Sequence, residues 1–190
     1  MKILVACEFS GVVREAFAAK GHDTWSCDLL PTEQSGKHCQ GDVRDILHDN
    51  WDLMIAHPPC TYLSNSGVRW LYKKGTMIKI EERWNAMYEA ARFFRLFLDH
   101  PCKMVCIENP VPHGHAGLPQ STQRVQPYQF GHGETKMTCF WLKGLPLLQQ
   151  TNVVFGREAR IHRMSPSQKR AKLRSTTYKG IAEAMAEQWG

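Results

Sequence analysis

Polar and reactive side chains follow the short apolar runs of this sequence, at the points where strands of a sheet would end. The residues at these points are Phe9-Ser10-Gly11, Asp28, Gly41-Asp42-Val43, His57-Pro58-Pro59-Cys60 and Glu108-Asn109. Ligands of an open parallel sheet bind in the crevice beyond the carboxyl ends of its strands. A glycine turn, three acids and a cysteine at such ends therefore predict one common site.

Cys60 is the candidate nucleophile. Two prolines precede it and restrict the backbone, so the thiol is held at a defined place beyond the strand end. A cysteine in that position is a nucleophile when its surroundings lower its pKa. Glu108 is the neighbouring carboxyl, and partial burial is expected to raise its pKa so that it can donate a proton. The other interpretation, a buried structural cysteine, is assigned to Cys7, Cys27, Cys102, Cys106 and Cys139.

The elements that must position these residues alternate between strands and helices. Strands are predicted at Lys2–Ala6, Asp23–Cys27, Leu53–Ala56, Met104–Ile107 and Thr138–Leu142. Helices are predicted from Val12 to Lys20, from Ile80 to His100 and from Thr177 to Trp189, with Gly21 after the first. Loops are predicted at 66–76 and 110–129. This alternation is typical of an α/β fold with a mostly parallel sheet.

Composition limits the class of protein. A chain of 190 residues with 43% apolar side chains is long enough for one core, so a single domain over 1–190 is expected. No apolar run reaches the roughly 18 residues of a membrane span. Glu8 follows the first short apolar run directly, which favours a cytoplasmic protein without a signal peptide. The seven cysteines are then reduced thiols, and without a C-x-x-C pair no metal site is expected.

Charge suggests a polyanionic partner. The net charge is +6, and residues 157–174 alone carry seven basic side chains against one acid. A second basic group lies among aromatic residues at 69–74. Both could be ordinary solvated faces, but basic side chains beside aromatics favour nucleic acid. The predicted contacts are Arg69, Lys73, Arg163, Lys169, Arg170 and Lys172.

The motifs also occur in a recognisable order and spacing. They are Phe9-x-Gly11, Asp28, Gly41-Asp42-Val43, Pro59-Cys60-x-x-x-Ser64-x-x-Gly67 and Glu108-Asn109, with His162–Ser167 and Tyr178–Ile181 near the end. On these residues the chain resembles the DNA cytosine-carbon-5 methyltransferase family, most strongly over 1–110. The resemblance implies a doubly wound, mostly parallel sheet of the S-adenosylmethionine-dependent methyltransferase type.

The resemblance also implies a cofactor. S-adenosylmethionine, or a close sulfonium analogue, would lie against Phe9 and Gly11. Asp28 would hold its ribose, and Asp42 with Val43 would contact its adenine.

A reaction follows from the same resemblance. Cys60 would attack carbon 6 of a cytosine in DNA, and Glu108 would engage ring nitrogen 3 and the exocyclic amine. Carbon 5 would then accept a methyl or related group. In duplex DNA the base must first be extruded into the pocket.

Two departures from the family pattern bear on specificity. The family's Gln-x-Arg-x-Arg motif falls at Glu134–Thr138, where only Lys136 keeps a positive charge, at the position that supports the pyrimidine carbonyl. The family's target-recognition insert is reduced to about 143–161. A separate specificity partner or a relaxed sequence preference is therefore expected.

Alternative functions remain open on the sequence. A catalytically weak or inactive DNA-binding protein of the same fold would explain why the arginine pair is missing. An amino-methyltransferase would use a Pro-Pro loop like Pro58-Pro59, but it would leave Glu108-Asn109 without a role. The same cytosine chemistry could also act on single strands or mononucleotides.

Overall fold

A seven-stranded sheet forms the centre of the computed structural model, which describes residues 1–190 except for the side chain of Lys169. The strands are β1 Lys2–Ala6, β2 Asp23–Asp28, β3 His38–Gln40, β4 Leu53–Ala56, β5 Met104–Asn109, β6 Gln123–Val125 and β7 Thr138–Lys143. The helices are α1 Val12–Ala18, α2 Glu81–Leu98, α3 Arg160–Arg163, α4 Gln168–Ser175 and α5 Lys179–Trp189. Short 3-10 helices lie at Val43–Asp45, Asn65–Leu71, Gly114–Ala116 and Pro127–Gln129.

The strand order is β3-β2-β1-β4-β5-β7-β6. The first five strands in this order pair in parallel. β7 runs antiparallel to β5, and β6 runs antiparallel to β7, so β6 again points in the common direction. This confirms the predicted doubly wound, mostly parallel sheet, which matches the methyltransferase-type fold that the resemblance implied.

Helices cover both faces of the sheet. Ile3, Val5 and Ile55 point to one face, where they pack with residues of α1 and α5. The alternate residues Leu4 and Met54 point to the other face, where they pack against α2. Because both faces are buried, β1 and β4 are continuous apolar runs rather than alternating ones. That pattern is why the sequence located these two strands at their observed bounds.

Several segments differ from the sequence prediction. The interval 110–129 was expected to be loop, but it contains β6, a three-residue strand with only Val125 buried. β3 was not predicted because its residues are polar or only half-buried at the sheet edge. The helices α3 and α4 were also missed, because their sequences are mostly basic and polar. Helix α1 ends at Ala18, with Gly21 (φ +84°) in the turn that follows.

Candidate active site

The loop after β4 holds Cys60 rigidly at the carboxyl end of the sheet. The His57 amide donates a hydrogen bond to the carbonyl of Ala6 at 2.9 Å, which continues the ladder beyond β4. The side-chain nitrogen Nδ2 of Asn109 donates a hydrogen bond to the carbonyl of Pro58 at 2.7 Å, so the proline pair is anchored to β5. Cys60 directly follows this anchored turn in the sequence, and it is half-buried.

The surroundings of Cys60 act on its thiol in opposite directions. Burial raises the pKa of Cys60, and the negative charge of Glu108 raises it further, while the charges of Arg174 and Lys136 lower it. The net effect is a raised pKa, so the resting group is a neutral thiol at pH 7. Glu108, Lys136 and Arg174 therefore all act electrostatically on the Cys60 thiol.

Glu108 lies on β5 beside His57. Its Oε2 is 3.2 Å from Nδ1 of His57, and the two side chains are 16% and 7% exposed. Burial raises the pKa of Glu108, but the hydrogen bond and charge of His57 and the charge of Lys136 outweigh it, so the pKa is lowered. The expected raised pKa is therefore wrong. Glu108 is an ionised carboxylate at neutral pH, because partner charges overcome desolvation.

Lys136 reaches the same place from the segment before β7. Its Nζ donates to the carbonyl of Thr176 at 3.1 Å and lies 5.6 Å from the ring centre of Tyr178. Burial lowers the pKa of Lys136, and the negative charge of Glu108 opposes that effect. The structure thus brings together the three residues that the sequence singled out for catalysis: Cys60, Glu108 and Lys136.

A second cluster of acids lies where β1, β2 and β3 end. Burial, followed by the charges of Asp28, Cys27 and Asp42, raises the pKa of Cys7, so both aspartates lie near that thiol. One carboxylate oxygen of Asp28 accepts from the amide of Leu30 at 2.9 Å. The other has no hydrogen-bond partner among the described residues, which leaves an acceptor for a ligand.

Asp42 is more fully engaged within the protein. It caps the 3-10 helix that begins at Val43, accepts from the amide of Arg44 at 2.9 Å and forms an ion pair with the Arg44 guanidinium. The hydrogen bonds from Arg44 lower the pKa of Asp42 to about 2. Val43 is buried, so its side chain belongs to the core and only its backbone remains for a ligand.

The turn from Phe9 to Gly11 is shaped by two residues that the sequence analysis did not single out. The buried carboxylate of Glu8 accepts from the amides of Val13 at 2.7 Å and Arg14 at 3.2 Å, which caps the start of α1. Gly11 has φ +72°, and a Cβ there would lie 2.8 Å from the Arg14 guanidinium. Gly11 is therefore required for both conformation and space.

The predicted DNA contacts fall into three groups. Arg69, Lys73 and Arg163 are exposed. Arg170 donates to the carbonyl of Ile161 at 3.2 Å, and Lys172 forms an ion pair with Glu33, so both also have partners within the chain. The side chain of Lys169 lies outside the described residues.

Sequence reasoning assigned no role to two residues of the site. His57 had a visible signal, since it directly precedes the proline pair. Arg174 had none, because it lies on α4 and its charge acts on Cys60 only through the tertiary fold.

No group of three His, Cys, Asp or Glu side chains that could hold a metal ion occurs among the described residues. Within the same residues, no helix has the length and apolarity that a membrane crossing requires.

Comparison with known proteins does not identify a family for this chain. No protein-family model matches the chain, and no curated protein matches it. Among solved structures, one match is an E. coli crystal structure described as a candidate DNA modification methyltransferase encoded within a prophage, with 14% identity and a TM-score of 0.49. The match covers 80% of this chain and 51% of the other, so the chain spans about half of that protein. At this identity and TM-score, the likeness adds nothing to the fold that the strand order defines.

Proposed function

We propose that this protein is an enzyme that methylates carbon 5 of cytosine in DNA through a covalent bond to Cys60. The observation that carries the proposal is that the charges of Glu108, on β5, and Lys136, before β7, both act on Cys60, which follows β4. Nucleophilic addition at carbon 6 requires a thiolate. It also requires a group that stabilises the charge that develops on ring nitrogen 3, and a cation near the pyrimidine carbonyl. The three side chains are of these kinds.

The neighbouring acids fit S-adenosylmethionine. The open carboxylate oxygen of Asp28 suits a ribose diol, and the turn that contains Gly11 connects β1 to α1. Asp42 and the backbone of Val43 would face the adenine, with Asp42 offering the lone pairs that Arg44 leaves. When bound, S-adenosylmethionine supplies the methyl group.

The residues of the chain prepare the base for that transfer. The Lys136 and Arg174 charges favour ionisation of Cys60, whose sulfur then bonds to carbon 6. Glu108 accepts a hydrogen bond from the exocyclic amine and helps place the ring. Lys136 supports the carbonyl as a point charge, which fixes the ring less tightly than a planar arginine pair.

A catalytically inactive DNA-binding protein of the same fold is the second candidate. The observation that favours it is the raised pKa of Cys60, because an enzyme with a resting thiol must ionise it in each turnover. The two candidates are distinguished by methylated cytosine, which the enzyme forms and the inactive protein does not.

Transfer of tritiated methyl groups from S-adenosylmethionine to unmodified DNA tests the proposal, with mass spectrometry of the nucleosides to identify the product. We expect 5-methylcytosine from the wild type, none from Cys60→Ser and undiminished product from Cys39→Ser, a half-buried cysteine on β3. DNA binding without any modified nucleoside supports the inactive protein. Modification at an exocyclic amine identifies an amino-methyltransferase instead.

A further inference from the structure

His57 and Glu108 form a buried pair at the carboxyl end of the sheet, and only Glu108 contacts the base in the proposed reaction. Ala56 of β4 pairs with Ile107 of β5, so the next residues, His57 and Glu108, are neighbours at the two strand ends. Side chains of directly paired residues point to the same face of a sheet. The observed contact, Nδ1 to Oε2 at 3.2 Å, follows from this register.

The imidazole is fixed in place. The turn around it is held by the bond from its own amide to Ala6 and by the bond from Asn109 to Pro58. Its second nitrogen, Nε2, is buried and has no hydrogen-bond partner among the described residues. One ring nitrogen, Nδ1, therefore faces the carboxylate, and the other has no partner among the described residues.

The reaction needs a proton that Glu108 does not carry. When sulfur adds to carbon 6, electrons move through carbon 5 and carbon 4 to ring nitrogen 3, which must be protonated. The charges of His57 and Lys136 keep Glu108 ionised, so its carboxylate has no proton to give.

We propose that His57 is the proton carrier of the site: its imidazolium passes a proton through the Glu108 carboxylate to ring nitrogen 3 as Cys60 adds to carbon 6. The inference rests on the proposed function and names the acid for that same site. Because His57 acts through Glu108, it is a positioning and proton-carrying residue that does not itself touch the base.

The step balances without a further reactant. Cys60 first loses its proton to solvent. The sulfur–carbon 6 bond then forms, the carbon 5–carbon 6 double bond shifts to carbon 4–carbon 5, and nitrogen 3 takes the proton that leaves His57 Nδ1. Reversal returns that proton to His57 and expels the thiolate.

Hydrogen exchange at carbon 5 isolates this step from methyl transfer. The adduct can take a solvent proton at carbon 5 and lose the original hydrogen, so the enzyme releases tritium from DNA labelled at carbon 5 of cytosine without any methyl donor. The exchange rate is measured against pH for the wild type, His57→Asn and His48→Gln, where His48 is an exposed histidine before β4. Asparagine keeps a donor near the Nδ1 position but cannot carry a proton.

We expect the wild type to release tritium at a rate that falls at alkaline pH, where the proton that the step needs becomes scarce. In His57→Asn the rate should drop about 100-fold or more, and the alkaline fall should disappear because only ionisation of Cys60 then remains. His48→Gln should match the wild type.

Other ionisable groups face the pair, namely Lys136, Cys60, Cys106 and Cys139 around Glu108, with Arg174 beyond Cys60. Of these, Lys136 could also cause an alkaline fall. A fall that persists in His57→Asn and disappears in Lys136→Arg overturns the inference, as does a His57→Asn variant with the wild-type rate and profile. No exchange by the folded wild type overturns the proposed function itself.

Discussion

The thiol of Cys60 lies between groups that oppose each other. Burial and Glu108 disfavour the thiolate, while Lys136 and Arg174 favour it. Since Lys136 is itself largely buried, its charge is poorly screened by solvent. The charge on Lys136 should therefore control how much thiolate is present at a given pH.

Lys136→Gln tests this control directly. Removing the positive charge should raise the pKa of Cys60 further and slow its alkylation by iodoacetamide at pH 8 by several-fold. Mass spectrometry of the Cys60 peptide measures the rate, and Lys103→Gln, a surface change before β5, is the control. Equal rates of Cys60 alkylation in both variants would show that the charge of Lys136 does not act on the Cys60 thiol.

Asp28 is the acid with an open carboxylate oxygen. Asp28→Ala should weaken binding of S-adenosylmethionine by about 1–3 kcal/mol, because the diol then loses its acceptor. Calorimetry measures the affinity, and Asp49→Ala, an exposed acid at the other end of the sheet, should leave it unchanged. Unaltered affinity in Asp28→Ala would place the ligand elsewhere.

The sequence identified these residues because a parallel sheet brings its strand ends together. The sequence alone could place three of these residues at the carboxyl ends of the strands, without knowledge of any contact: Cys60, Glu108 and Asp28. The ionised state of Glu108 could not be predicted, since it depends on His57 and Lys136, which reach it from different segments.

At the scale of elements, the C-terminal third is tied to the sheet through Glu134. One oxygen of this carboxylate accepts from Arg160 of α3 at 2.8 Å, and the other accepts from the hydroxyl of Tyr178, before α5, at 2.8 Å. Burial raises the pKa of Glu134, but these two partners outweigh it and the pKa is lowered. The ionised form therefore stabilises the fold.

Glu134→Gln should lower the free energy of unfolding by about 1–3 kcal/mol at pH 7. A lowered pKa means that the contribution is present above the unfolded value of about 4.3 and is lost as pH falls through the folded value. Urea unfolding at pH 7 and near pH 3 should show the difference shrinking in acid. Glu187→Gln, an exposed change beside Lys20, should have little effect at either pH. A constant difference would contradict the assignment.

The elements that the sequence predicted are those with a continuous apolar run, such as β1 and β4, or with apolar periodicity, such as α2. α2 was located within two residues at each end because Trp84, Met87 and Phe94 recur on its buried face. α4 has no such stripe, and it is held instead by polar contacts such as Lys172 with Glu33. Contacts of that kind link distant segments and leave no local pattern.

For the whole molecule, the excess positive charge is partly used in holding the fold together. Arg160 pairs with Glu134, and Arg157 lies 3.4 Å from the ring centre of Tyr128. The better candidates for phosphate contacts are therefore the exposed Arg69, Lys73 and Arg163, rather than all the basic residues of 157–174.

Replacing Arg69, Lys73 and Arg163 together by glutamine should weaken binding to all DNA sequences alike. The slope of log affinity against log salt should flatten by about 0.9 for each phosphate of duplex DNA that the variant no longer neutralises. Fluorescence anisotropy over a salt series measures the slope, with Lys20→Gln and Lys103→Gln as the control pair. A slope that the triple variant leaves unchanged would exclude these residues from the interface.

The central claim, a covalent bond between Cys60 and cytosine, is tested most directly by intact-protein mass spectrometry. Wild-type protein is incubated with S-adenosylmethionine and DNA containing 5-fluorocytosine, in which the fluorine at carbon 5 blocks release of the thiol. We expect a stable protein–DNA adduct that maps to the Cys60 peptide and is missing from Cys60→Ser. An adduct that persists in Cys60→Ser, or none from a wild type that methylates ordinary cytosine, would contradict the account.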